Sequence, residues 1–152
     1  MLDIGGQDIK AIRLRSGRVD DFATNDRCAA SSGRYLENMA AVLGMTLEEL
    51  TGHYEDPVEL SSTCAIFGET ELVGLLAEGY APERLAAGVN LAVCSRILPL
   101  LARFPGPFLV VTGGVARNPG LIRLLGERTS YEILVPRHPE FIAARGCCLA
   151  TW

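Results

Sequence analysis

The chain has 152 residues, with 14 basic and 18 acidic side chains, 49% apolar residues and a formal net charge of −4. That balance, with no Lys/Arg block, argues against a nucleic-acid binder, and the composition excludes disorder, a coiled coil and collagen. The length predicts one domain or one lobe of a larger protein. The apolar runs are broken by Arg, Pro or Gly, which predicts no membrane span, and no charged start precedes an apolar stretch. A soluble cytoplasmic protein is expected.

In chain order, residues 2–4 and 9–14 read as strands around a Gly-Gly turn. Ser16-Gly17 supplies a hairpin turn before a third strand over 18–24. Residues 33–44 read as a helix with Tyr35, Leu36, Met39, Ala40 and Leu43 on one face. Thr46-Leu47-Glu48-Glu49 forms a capping box that opens a short helix. Helices are predicted over 66–78 and from Pro82 to about residue 104, where Pro suits a first helical position. Residues 108–112 form a continuous apolar run, as in a strand buried on both faces. Helix 119–127, strand 131–135 and a small-residue helix over 141–152 complete an α/β pattern. The first strand carries a loop of binding chemistry almost at Met1, so the chain reads as the C-terminal lobe of something longer.

Five cysteines are present: Cys28, Cys64, Cys94, Cys147 and Cys148. An odd count without a CxxC pair predicts neither a disulfide framework nor a zinc site. Cys94, inside a helical pattern, and the adjacent Cys147 and Cys148 are expected as small buried residues.

Three motifs carry chemistry. In Asp3-Ile4-Gly5-Gly6-Gln7-Asp8 a strand ends in two glycines flanked by carboxylates. Glycines let backbone N–H groups approach phosphate oxygens, and a carboxylate beside them can hold Mg²⁺ through water or position an attacking water. An ordinary hairpin turn fits the same spacing. In Val111-Thr112-Gly113-Gly114-Val115-Ala116-Arg117-Asn118-Pro119 a buried strand meets a glycine turn and a helix start, with Asn118 as cap and Pro119 at the first position. That end of a helix favours an anion, although a tight βα turn explains it as well. Neither a Walker loop nor a GxGxxG fingerprint occurs. The third motif is a pair: Cys28 in Asn-Asp-Arg-Cys-Ala-Ala-Ser-Ser-Gly and Cys64 in Ser-Ser-Thr-Cys-Ala each stand just before a helical pattern. A helix N-terminus turns its positive dipole end toward a thiolate. Two such thiolates suit half of a four-thiolate [4Fe–4S] cluster lying on a two-fold axis between chains. Two unrelated buried cysteines fit the spacing equally.

DIGGQDIKAI, NDRCAASSGRYLE, SSTCAIFGETE and VTGGVARNPG, in that order, resemble the BadF/BadG/BcrA/BcrD ATPase family, whose members activate 2-hydroxyacyl-CoA dehydratases or serve benzoyl-CoA reductases. The resemblance covers residues 3–150. It implies an actin-like lobe of the acetate and sugar kinase, Hsp70 and ribonuclease H type, a mixed sheet with flanking helices. It implies that Gly5, Gly6 and Gln7 lie near phosphates, with Asp3 and Asp8 at Mg²⁺ or the attacking water. It places Thr112, Gly113, Gly114, Ala116 and Asn118 at the adenosine end of ATP or ADP. Cys28 and Cys64 match the family's ligands to one [4Fe–4S] cluster shared by a homodimer. The implied partners are a 2-hydroxyacyl-CoA dehydratase or benzoyl-CoA reductase component and a ferredoxin or flavodoxin donor, with no nucleic acid and no membrane. Glu69 and Glu71 fall where the superfamily often contacts ribose. The family's usual Gly-Thr after Cys-Ala-Ala is Ser31-Ser32 here, and its first phosphate loop, part of an N-terminal lobe, has no counterpart in residues 1–152. Two other readings stand beside an electron-transferring activator: a small-molecule kinase of the same superfamily, and a non-catalytic, cluster-binding dimerisation lobe. His53 and His138 have no partner at a catalytic spacing and are expected at the surface.

Overall fold

The computed structural model describes residues 1–25, 32–61 and 64–149. Strands β1 (Leu2–Ile4), β2 (Ile9–Arg15) and β3 (Arg18–Thr24) form an antiparallel meander. Ser16 and Gly17 both take positive φ, 50° and 76°, the geometry of a two-residue turn whose twist matches that of the strands. Helices α1 (Gly33–Leu43), α2 (Leu47–Gly52), α3 (Ala65–Ala77) and α4 (Pro82–Leu101) follow. The chain then runs through β4 (Phe108–Thr112), α5 (Pro119–Arg128), β5 (Glu132–Leu134) and α6 (Ile142–Leu149). The sheet order is β3-β2-β1-β4-β5, with β4 parallel to both β1 and β5.

Side-chain alternation decides which face of the sheet the helices cover. Leu2, Ile4, Ile9, Ala11, Leu109 and Val111 are buried on one face. They share one core with Leu36 and Met39 of α1, Val89, Val93 and Ile97 of α4, and Leu121 and Leu125 of α5. The expected apolar face of α1 is the buried one, residue for residue. Gly44 ends that helix in the left-handed conformation, and the Met45 N–H reaches back to the Ala40 carbonyl at 2.9 Å. The capping box of α2 forms in both directions, Glu49 N–H to Thr46 Oγ1 and Thr46 N–H to the Glu49 carboxylate.

The structure differs from the sequence expectation in four places. In β4, expected to be buried on both faces, Phe108 is exposed and Val110 half-buried. Helix α4 ends at Leu101 rather than near residue 104, because Phe104 N–H turns back to the Leu101 carbonyl ahead of Pro105 and Pro107. By length and composition α4 is also apolar enough to cross a membrane, although the sequence predicts no such run. Its buried residues, from Leu85 to Leu101, line the core against the sheet and α5. Cys147 and Cys148, expected inside, are exposed. Helix α6 buries no residue among those described, so small side chains there cover nothing. Cys94 is fully buried, as expected, and burial pushes its thiol up to about 11.

Candidate nucleotide site

Strands β1 and β4 are parallel neighbours, with Leu2 opposite Val111 and Asp3 opposite Thr112. Both glycine turns therefore leave the carboxyl ends of adjacent parallel strands. That is where open α/β sheets bind ligands, since the chain departs there and leaves a crevice.

The two turns are built into each other. Thr112 Oγ1 donates to Asp3 Oδ2 at 2.7 Å, and Thr112 is buried. Gly113 takes φ +86° with its Cα against the end of β1, and a Cβ there would fall 2.2 Å from the Ile4 carbonyl oxygen. Only glycine meets both demands. Its N–H donates to the Pro139 carbonyl at 3.0 Å. On the other side, Gly5 N–H closes a turn onto the Asp8 carbonyl at 2.9 Å. Asp8 is exposed and paired with Lys10, and Gln7 is exposed. Nothing lies within 4 Å of a Cβ built on Gly6 or Gly114, so the backbone at both is open to close approach.

The start of α1 is attached directly to the first turn. Gly33 N–H donates to the Gly5 carbonyl and Arg34 N–H to the Gly6 carbonyl, each at 2.9 Å. Two of the unpaired donors at that helix start are thus spent on the loop. Between the turns and the helices lies a cavity of about 210 Å³. Gly5, Gly6, Gly114 and Val115 line one side, and Leu36 and Glu37 of α1 with Leu47 and Thr51 of α2 line the other.

Asn118 lines the same cavity, but its side chain is occupied. Its Oδ1 accepts from Leu121 N–H, capping α5, and its Nδ2 donates to Asn90 Oδ1, both at 2.8 Å. Asn90 in turn donates to the Leu50 and His53 carbonyls at the end of α2. Ala116 is buried in the 3₁₀ turn between Gly113 and α5. Asn118 and Ala116 thus shape the site from behind. Glu69 and Glu71, expected near a ribose, do not line the cavity. Glu71 accepts from Ser61 N–H and Oγ, and Glu69 accepts from Asn38 Nδ2. Glu37, Leu47 and Thr51 carry no signal in the sequence, where they read as ordinary faces of two helices.

Cys64 is the N-cap of α3, half-buried, with its carbonyl accepting Gly68 N–H at 2.9 Å. Cys28 lies outside the described residues. Among the described residues no three metal-ligating side chains converge. Cys64 stands at a helix start, where the positive dipole end lies, and is partly accessible.

A β-meander followed by parallel strands, with paired glycine turns at the strand ends, defines an actin-like ATPase lobe. The chain belongs to the BadF/BadG/BcrA/BcrD ATPase family, which it matches over residues 1–150. It is 40% identical over 156 residues to the activator of lactoyl-CoA dehydratase of Anaerotignum propionicum, covering 98% of this chain and 60% of that protein. It is 30% identical over 161 residues to a subunit of the benzoyl-CoA reductase of Thauera aromatica, covering 100% of this chain and 57% of that one. The solved activator of the 2-hydroxyisocaproyl-CoA dehydratase from Clostridium difficile, with bound ADPNP, superposes with a TM-score of 0.89 at 37% identity, over 95% of this chain and 56% of that one. The chain thus spans about 60% of the length of the curated relatives it matches.

Proposed function

We propose that this chain is the nucleotide-binding and cluster-bearing lobe of an ATP-dependent activator, which passes a low-potential electron to a 2-hydroxyacyl-CoA dehydratase or benzoyl-CoA reductase type partner. The observation that carries the reading is the direct bonding of α1 to the first glycine turn, Gly33 to Gly5 and Arg34 to Gly6. The same helix is preceded in sequence by the Cys28 segment. A nucleotide held at Gly5, Gly6 and Gly114 would press on the element that follows the proposed cluster ligand.

In this reading Asp3, held by Thr112, and Asp8 serve Mg²⁺ or the attacking water, and Gln7 lies beside the phosphates. Cys28 and Cys64 of each protomer of a homodimer hold one [4Fe–4S] cluster, which supplies one-electron transfer at low potential. A ferredoxin or flavodoxin reloads it. The segment by which the relatives exceed this chain completes the nucleotide site as an N-terminal lobe. A cytoplasmic, oxygen-poor setting suits such a cluster.

The test is iron and acid-labile sulfide on protein purified without oxygen. About two irons per chain, lost in Cys28→Ser and in Cys64→Ser, are expected for one shared four-iron cluster. Iron that persists in both variants, or its absence after anaerobic reconstitution, overturns the cluster and leaves a kinase-like lobe. A non-catalytic, cluster-binding dimerisation lobe is the second reading. ATPase assays with and without the remaining segment supplied in trans separate the two.

A further inference from the structure

Strand β1 is shorter than the strands on either side of it. β2 runs for seven residues and β4 for five, whereas β1 has three. β1 meets β2 from Ile4 opposite Ile9 to Leu2 opposite Ala11, and among the described residues it meets β4 only at Val111 and Thr112. Beyond Met1 the sheet opens into a groove of about 530 Å³. Arg13, Leu14 and Arg15 of β2 form one wall, and Phe108, Leu109 and Val110 of β4 form the other. We propose that this groove takes one further length of strand, in line with β1 and continuous with Met1, that carries apolar or β-branched residues at the two positions nearest Met1. Its source is the part of the protein by which the longer relatives exceed this chain, which spans about 60% of their length. The proposal extends the reading above, in which that part completes the nucleotide site, but neither nucleotide nor cluster plays a role in it.

The width fits one strand. Neighbouring strands lie about 4.8 Å apart, and β2 and β4 stand on either side of β1, two such spacings from each other. The hydrogen bonding is already prepared. Met1 and Ile12 face each other as a bonded pair: the Met1 ammonium donates to the Ile12 carbonyl and Ile12 N–H to the Met1 carbonyl, each at 2.8 Å. In an antiparallel ladder such pairs recur at every second residue, so Leu14 turns its N–H and C=O into the groove. The Met1 nitrogen thus makes a ladder bond in the place of a strand amide. Burial holds its ammonium below the ordinary pKa, a cost that an amide N–H escapes, having no charge to desolvate. Register then fixes the side chains. Continuing the pairs Leu2–Ala11 and Leu2–Val111, the residue ahead of Met1 stands between Arg13 and Leu109, and the one before it between Leu14 and Phe108. Alternation puts the first on the face of Leu2, over a floor of Leu101 and Phe104. The Tyr131 hydroxyl on that floor is spent on the Leu101 and Phe104 carbonyls, which leaves an apolar surface. Alternation puts the second on the opposite face, between Leu14 at 51% exposure and Phe108 at 58%. Exposed apolar side chains on both sides of one position call for an apolar or β-branched side chain between them.

The experiment is amide hydrogen exchange, read residue by residue, with thermal melts. It compares the parent chain with three forms lengthened ahead of Met1 by Thr-Thr-Val-Val, Thr-Thr-Asp-Asp or Gly-Ser-Gly-Ser. The Val form should slow exchange of the Leu14 amide at least about tenfold and raise the melting temperature. The Gly-Ser form has low strand propensity, and the Asp form sets a carboxylate on the apolar floor. Both should leave the Leu14 amide near its rate in the parent. The amide of Ile97, buried in α4, reports global unfolding in all four. An unchanged Leu14 rate in the Val form, with Ile97 still protected, overturns the added strand. Equal protection in the Asp form overturns the apolar requirement. If the Leu14 amide is already slow in the parent and quickens on dilution, a second copy fills the groove and the proposed source falls. Neither ATP nor iron enters the test, so its failure leaves the activator reading standing, and a chain that takes up no iron leaves the groove standing.

Discussion

The Thr112 hydroxyl donates to the Asp3 carboxylate at 2.7 Å, joining residues 109 positions apart at the ends of two parallel strands. The bond ties the two glycine turns into one unit and fixes the Asp3 carboxylate between them. Hydrogen bonds to charged acceptors contribute about 1.5–3 kcal/mol, and removing the donor alone leaves the acceptor short of a partner. Thr112→Val should therefore lower unfolding stability by about that amount, while Thr112→Ser, which keeps the hydroxyl, loses well under half of it. Denaturant unfolding of the three proteins checks this, and equal losses for Val and Ser would mean that the bond contributes nothing.

The two glycines of the second turn are adjacent and should behave differently. Gly113 has φ +86°, and a Cβ there would approach the Ile4 carbonyl oxygen to 2.2 Å, whereas Gly114 has open space. A left-handed non-glycine residue costs on the order of 1–2 kcal/mol, and the clash with rigid backbone adds to it. Gly113→Ala should destabilise the chain by at least about 3 kcal/mol more than Gly114→Ala. Thermal melts of the pair decide it.

Much of this is legible in the sequence because it is local. The Ser16-Gly17 hairpin, the Thr46–Glu49 capping box, the Asn118 cap and the buried face of α1 follow from residues within one turn or one helix of each other. What is not legible depends on which elements meet. Asn118 is readable as a cap but not as the partner of Asn90, 28 residues away. Glu37 reads as a solvated helix face until α1 is seen bonded to Gly5 and Gly6. Cys147 and Cys148 have the size of core residues, and their exposure follows from α6 burying none of its described residues. The cluster pairing of Cys28 with Cys64 comes from the family resemblance, and Cys28 lies outside the described residues.

Tyr35 offers a test of polar burial next to the site. Its ring is buried at the start of α1, beneath the Arg96 guanidinium at 4.9 Å and beside Gly68 of α3. Its hydroxyl has no hydrogen-bond partner among the described residues. A buried hydroxyl left unpaired costs about 1–3 kcal/mol. Tyr35→Phe keeps the ring and the cation–π contact and should raise stability by about 1 kcal/mol. Tyr35→Ala should lower it by about 3–5 kcal/mol through the cavity it leaves. A stability loss in Tyr35→Phe would show that the hydroxyl has a partner after all.

Cys94 should give the chain an alkaline weakness. Burial pushes its thiol from 9.0 to about 11. Between those values the unfolded chain loses the proton and the folded one keeps it, so the folded state binds more protons. Stability therefore is fully present below pH 9 and falls as the pH rises toward 11, by up to about 2–3 kcal/mol for about two pH units. Cys94→Ala removes this fall and leaves a flatter curve, although its stability at neutral pH drops from the lost packing. The same burial should protect Cys94 from alkylation in the native state, where exposed Cys147 and Cys148 react. Peptide mapping after iodoacetamide at about pH 8, with and without denaturant, checks the order. Modification of Cys94 at the rate of Cys147 in the folded protein would mean that α4 opens around it.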